Sequence, residues 1–319
     1  MQDRYGIVAT VEELVRQRGA AGPLKLTPES AVRTLQSGPF HSAYRGRGME
    51  FDESRAYQPG DDVRAIDWRV TARTGRVHTK LFHEERERPV LLLVDARPMM
   101  RFGTRDCFKS VLAARTAATL AWAARDAGDR VGAFVMTGTA TLQFPPHRGR
   151  GRLLRLLKGL SAATAESCET VSVSLSEQIA RLRRVARPGT LIIALSDFHD
   201  FDDAAEKELA GVSTHCDVVC IHVFDALEAA APTSRGYRIS DGERVLALAG
   251  FDRKWQREYR ERFESRRRRL ESFCRRHGET FFSLMTGGDE PGASPAPGLH
   301  PRRFRRARAA APVHGGASA

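Results

Sequence analysis

Four stretches of the chain are almost uninterruptedly apolar: residues 90–94, 130–136, 190–195 and 217–224. Three of them run straight into an aspartate, at Asp95, at Ser196-Asp197 and at Asp225. Runs this short that do not alternate suit strands covered on both faces, as in a parallel sheet with helices above and below. The segments between them read as helices. Phe108, Val111, Leu112, Ala118, Ala121 and Trp122 form one stripe over about residues 106–127, which Gly128 stops. Further helices are expected over about 151–162, 175–185 and 203–210, with a short edge strand at 141–144. Alternating strands and helices predict an α/β fold with a mostly parallel open sheet and helices on both faces. In such sheets the functional crevice lies outside the carboxyl ends of the strands, where Asp95, Asp197 and Asp225 fall.

The flanks carry weaker signals. A short helix is expected from Thr10 to Arg18, then a region of little long-period pattern, with a strand at Val77–Phe82. Towards the other end Trp255, Tyr259, Phe263, Leu270, Phe273 and Cys274 recur at helical spacing, while Arg257, Arg260, Arg262 and Arg266 to Arg269 fill the other faces. Phe281–Leu284 fits an edge strand. Beyond about Gly287 the composition turns to Gly, Pro, Ala and Arg, which predicts disorder. The domain reading is an N-terminal extension over 1–88, an α/β domain over 89–250, a C-terminal helix and edge strand packed on it over 251–286, and a disordered basic tail over 287–319.

Charge and motif content narrow the function. The net charge is +12, from 51 basic and 39 acidic residues, which raises nucleic-acid binding by the Arg-rich helix and tail as an alternative function. The aromatic residues of that helix lie on its apolar stripe, not among the arginines as a stacking platform needs. Five cysteines without a Cys-x-x-Cys pair exclude a disulfide framework or zinc ribbon. The first residues lack a signal peptide's apolar stretch, and no run approaches the roughly 18 apolar residues of a membrane span, so a soluble cytoplasmic protein is expected. The ten histidines are scattered without metal spacing. Gly149-Arg150-Gly151 lacks the Lys-Ser/Thr of a phosphate loop, and no Gly-x-Ser-x-Gly elbow occurs. The expectation is a chain that is not an enzyme and takes no cofactor.

A longer motif lies upstream of the first apolar run: Gly46-Arg47-Gly48-Met49-Glu50-Phe51, then Arg55-x-Tyr57-x-Pro59-Gly60-Asp61-Asp62-x-Arg64-x-Ile66-Asp67-Trp68, then Ala72-Arg73, Lys80 and Glu84-Glu85. With the strand ending at Asp95 and with Ser196-Asp197-Phe198, it resembles the bacterial family called domain of unknown function 58, over roughly residues 30–286. The resemblance implies a von Willebrand factor A-like fold and a scaffold or adaptor role. It also implies a MoxR-type AAA+ ATPase as partner, in chaperone-like maturation of a client protein. Within the motif, Pro59-Gly60 marks a turn and Trp68 is expected to anchor a core. Arg55, Asp61, Asp62 and Arg64 are candidates for partner binding, with capping of backbone amides as the other reading of the aspartates.

Domains of that fold often hold Mg²⁺ through Asp-x-Ser-x-Ser after the first strand, with Thr and Asp from later loops, because Mg²⁺ takes hard oxygen ligands in an octahedron. The matching segment here is Asp95-Ala96-Arg97-Pro98-Met99. The aspartate is kept, but Arg97 and Met99 stand where the serines would be, and neither suits Mg²⁺. Asp197 matches the later acidic loop. The expectation is a degenerate site without metal. Arg97 then either lies between Asp95 and Asp197 in place of the ion or points to solvent, and the two aspartates otherwise cap nearby amides.

Overall fold

A computed structural model describes residues 6–22, 24, 26, 49–58, 63–84, 88–166, 172–230, 237–240, 245–248 and 253–287. The expected tail from 288 onward, Pro59 to Asp62 and Cys168 lie outside the described residues. The chain divides into two units, one of residues 1–29 with 88–319 and one of residues 30–87. Residues 1–29 thus group with the large unit.

Two short helices open the large unit, α1 (Val11–Arg16) and α2 (Arg18–Ala21). Leu14, Ala21, Leu24 and Leu26 are buried in the main core. The indole Nε1 of Trp122 donates to the Leu14 carbonyl at 3.1 Å. Gly6, at φ +80°, sits so close to the loop before the first long helix that a Cβ there would lie 2.1 Å from the Asp106 carbonyl oxygen, and it accepts from the Phe108 amide at 2.8 Å.

The small unit contains β1 (Met49–Ala56), α3 (Trp68–Thr74) and β2 (His78–Glu84). The two strands pair antiparallel. Asp67 caps α3, its Oδ1 accepting from the amides of Arg69 and Val70 at 3.1 and 3.2 Å. Ser54 of β1 donates to the other oxygen at 3.1 Å, and the Thr71 hydroxyl accepts from the His78 amide at 3.0 Å. Gly75 ends the helix in the left-handed region at φ 69°. Trp68 is not a core anchor: it is 67% exposed. Asp67 and Ile66 are the buried pair of this stretch, and with Val70 and Thr71 turned half inward, the roughly 100° per residue of a helix carries Trp68 to the outside.

The large unit continues with β3 (Pro89–Asp95), α4 (Lys109–Asp126), β4 (Arg130–Met136), β5 (Thr141–His147), α5 (Arg150–Ala165), α6 (Leu175–Val185), β6 (Leu191–Ser196), α7 (Asp203–Ser213), β7 (Asp217–Phe224), α8 (Ala226–Ala229), β8 (Tyr237–Ser240), β9 (Val245–Leu248), α9 (Arg253–His277) and β10 (Thr280–Met285). Six strands make one sheet in the order β10-β7-β6-β3-β4-β5. All neighbours are parallel except β4 and β5. The four apolar runs are thus consecutive strands of one sheet. β8 and β9 pair as a separate hairpin that the apolar pattern does not announce.

Alternation along β3 explains the layering. Val90, Leu92 and Val94 face a core shared with α1, α2, α4 and α5. Leu91 and Leu93 face a second core built with α6, α7 and α9. Both faces are therefore covered, which is why the strand reads as one apolar run.

Candidate functional site

From β3 the chain moves through α4 to β4 on one side, then returns through α5 and α6 to β6 on the other. The strand order reverses between β3 and β6, and a crevice opens outside the carboxyl ends at such a reversal. Asp95 ends β3, and Asp197 follows the last residue of β6.

Asp95 is 1% exposed and fully engaged. Its Oδ1 accepts from the Arg97 amide and from Arg97 Nε, both at 3.0 Å. Its Oδ2 accepts from Arg97 Nη2 at 2.8 Å and from the Ser196 hydroxyl at 2.6 Å. A carboxylate offers about four lone-pair directions, and protein donors take four. Arg97, itself 5% exposed, also reaches Asp200 through Nη1 at 2.6 Å and Nη2 at 2.8 Å, and Nη1 donates to the Val173 carbonyl at 3.1 Å. Burial alone would lower the Arg97 pKa, but its bonds to Asp200 and Asp95 outweigh that and raise it.

The guanidinium therefore does bridge two carboxylates, but its second partner is Asp200 and not Asp197. The reason is local. Ser196 Oγ accepts from the Phe198 amide at 2.9 Å, and Phe198 adopts φ 49°, the one positive φ on a non-glycine among the described residues. That turn, which costs about 1–3 kcal/mol of backbone strain, is held by burial of Phe198 and its edge-on contact with Phe201. Beyond it Asp200 meets Arg97, while Asp197, before it, is held by another cation.

Asp197 faces Lys109, the first residue of α4. Lys109 is 0% exposed, and its Nζ donates to Asp197 at 2.8 Å and to Glu228 at 2.7 Å. A cation at a helix N-terminus opposes the helix dipole, so these two carboxylates hold it there. Burial would lower the Lys109 pKa, yet Asp197 and Glu228 together raise it. Burial would raise the Asp197 pKa, but Lys109 outweighs that and lowers it. Glu228 also accepts from the Asp225 amide at 2.8 Å, completing a capping box at α8. Asp225 accepts from the Thr104 amide at 2.9 Å, the Thr104 hydroxyl at 2.7 Å, the Leu227 amide at 2.8 Å and the Thr286 hydroxyl. Behind this cluster His222 stacks on Phe224, with its Nδ1 unbonded. Burial pushes its pKa down to about 4.

Met99 is 49% exposed on a short turn and does not line the crevice. Arg55 donates to the Ala56 carbonyl at 3.1 Å, and Arg64 is exposed on the small unit. Asp61 and Asp62 lie outside the described residues. Asp95 and Asp197 do cap amides, the latter accepting from His199 at 3.1 Å. Lys109, Asp200 and Glu228 escaped the sequence reading, and Ser196 was noted there without its role. The lysine that opens the Ala-rich helix α4 was the one available signal.

A divalent ion does not fit this donor set. Asp95 has no free lone pair, Asp197 is held by Lys109, and a buried guanidinium lies between the carboxylates of Asp95 and Asp200. Among the described residues no group of three or more His, Cys, Asp or Glu side chains could hold a metal. The arginine face of α9 is partly occupied as well. Arg269 reaches Asp203 and Glu206, and Arg276 reaches Glu206. Among the described residues no helix is long and apolar enough to cross a membrane.

A switch point between two helix-covered faces defines an open-sheet α/β protein whose strand-end aspartates are ion-paired from within. Inside that class, the chain belongs to the family described as Protein of unknown function DUF58, whose model matches residues 53–272. "Uncharacterized protein Rv1480" of Mycobacterium tuberculosis is 31% identical over 220 residues, 69% of each chain. "Uncharacterized protein YeaD" of Bacillus subtilis is 27% identical over 127 residues, 40% of this chain and 30% of the relative. Among solved structures, BatB from Bacteroides thetaiotaomicron aligns with a TM-score of 0.41 at 15% identity, covering 68% of this chain and 98% of BatB.

Proposed function

We propose that this chain is a non-catalytic cytoplasmic scaffold with a von Willebrand factor A-like domain, working beside a MoxR-type AAA+ ATPase in the maturation of other proteins. The observation that carries this reading is the closed crevice. At the place where an open α/β sheet usually binds a ligand, Asp95 and Asp197 are consumed by the protein's own Arg97 and Lys109. Neither cation is free to polarise a substrate, and neither carboxylate is free to move a proton. This supports a role carried by the protein's surface.

Isolation of the tagged chain from its native host, with and without ATP, tests this. A MoxR-type ATPase is expected in the isolate, in an amount that changes with nucleotide. Changing Asp61 and Asp62 together to Ala is expected to deplete the ATPase while leaving the melting temperature within a few degrees. An equal loss of ATPase and of stability would make that segment structural only. Recovery of the chain without any ATPase under both conditions would overturn the proposed partnership.

A further inference from the structure

We infer that the outward face of α3 is a docking surface for an acidic segment of a partner protein that also carries an apolar side chain. Trp68 and Ala72 stand four apart on the helix, as do Arg69 and Arg73, so they form two adjacent rows. All four residues are exposed, as are Arg76 and Val77, which follow the Gly75 cap in sequence. Val63, Trp68 and Val77, at 61%, 67% and 42% exposure, place three large apolar side chains within one short stretch.

The electrostatics give the sign of the occupant. The side chains of Arg69, Arg73 and Arg76 pair with no carboxylate among the described residues, while the nearest acid in sequence, Asp67, is buried and turned to the helix amides. Guanidinium groups left unpaired beside an exposed indole fit carboxylates, which they bind in bidentate fashion. Trp and Arg are also the residue types that dominate protein interfaces. The face is preorganised: Asp67, Ser54, Thr71 and His78 tie α3 to the hairpin, so little ordering is lost on binding. Single-stranded nucleic acid fits less well, because stacking uses successive rings and α3 has one aromatic residue. This inference rests on the adaptor reading only for the existence of a protein partner.

The test uses the full chain as bait for a display library of random twelve-residue peptides, counter-selected against a Trp68→Ala/Arg73→Glu chain. Enriched peptides are expected to combine several Asp or Glu with Leu or Phe. One of them, titrated by fluorescence anisotropy, is expected to lose at least about tenfold in affinity with Trp68→Ala or with Arg69→Glu/Arg73→Glu, and to stay within about threefold with Trp68→Phe. Melting temperatures should hold, since these side chains are exposed. Enriched peptides without acidic residues, or binding indifferent to all these substitutions, would overturn the inference. So would tighter, Trp68-dependent binding of a labelled oligothymidylate or of phosphatidylserine vesicles. Failure here with the ATPase still recovered removes only the docking surface; peptide capture without the ATPase removes only the proposed partnership.

Discussion

Replacing Arg97 with Met is expected to destabilise the large unit by about 3–5 kcal/mol, the usual consequence of removing one member of a buried ion pair. Methionine keeps most of the length and fills the space, so packing loss is small. The effect comes from Asp95, which stays buried with only an amide and the Ser196 hydroxyl as donors, and from Asp200, which loses two charged bonds. For a domain this large, that is a fall in melting temperature of roughly 10 °C. The pH dependence has a definite sign. A buried carboxylate without its cation has a folded-state pKa above the unfolded one, so its penalty is greatest at neutral pH and shrinks as pH falls. The difference between the variant and the parent should therefore narrow between pH 7.5 and 5. Adding Asp95→Asn should recover part of the loss at pH 7.5. Denaturant unfolding at both pH values checks this, and a loss that is small and independent of pH would mean the bridge contributes little.

Lys109→Met is expected to have a comparable effect by a different route. The lysine is wholly buried and holds Asp197 and Glu228, whose side chains are 8% and 26% exposed. Without it, two carboxylates within reach of one ammonium face each other in a poorly solvated place. A loss of about 3–5 kcal/mol is expected, discounted towards the lower end because Glu228 is partly open to water. The capping box of α8 uses the same Glu228 and should loosen with it. Glu228→Gln in the Lys109→Met background should relieve part of the loss, and the double-mutant cycle measures how much. Additive effects of the two substitutions would mean that the pair does not act as a unit.

These ion pairs show where the sequence is readable and where it is not. The sheet is legible because strands covered on both faces leave no choice of pattern: Val90 to Val94 must be apolar throughout when alternate residues enter two different cores. The location of the crevice follows from topology, since the reversal between β3 and β6 puts Asp95 and Asp197 at the ends of neighbouring strands. The identity of each ion partner does not follow. Whether Arg97 meets Asp197 or Asp200 depends on the course of the loop after β6, which includes the positive φ at Phe198, and no pattern of residue types encodes it. Trp68 misled for a related reason. In Ile66-Asp67-Trp68 the buried positions are Ile66 and Asp67, because the aspartate is needed inside as a cap. The first 29 residues join the main core through Leu14, Leu24 and Leu26, and a six-residue helix carries no sign of what it will pack against.

The central claim is that the strand-end crevice carries its own cations and is closed to metal. Around it, Asp95, Asp197, Asp200 and Glu228 outnumber Arg97 and Lys109, so simple attraction would draw a cation in. What excludes it is that Asp95 has no free lone pair, that Arg97 and Lys109 already hold the other carboxylates, and that the guanidinium is near, its repulsion of a unit charge 4 Å away being about 4 kcal/mol at an effective dielectric of 20. Titration calorimetry with Mg²⁺ and Mn²⁺ at millimolar concentration decides the matter. No saturable heat is predicted for the parent chain, whereas Arg97→Ser with Met99→Ser, which frees Asp95 and offers two hydroxyl groups, is predicted to gain measurable affinity. Saturable heat in the parent chain that disappears in Asp95→Ala would contradict the account.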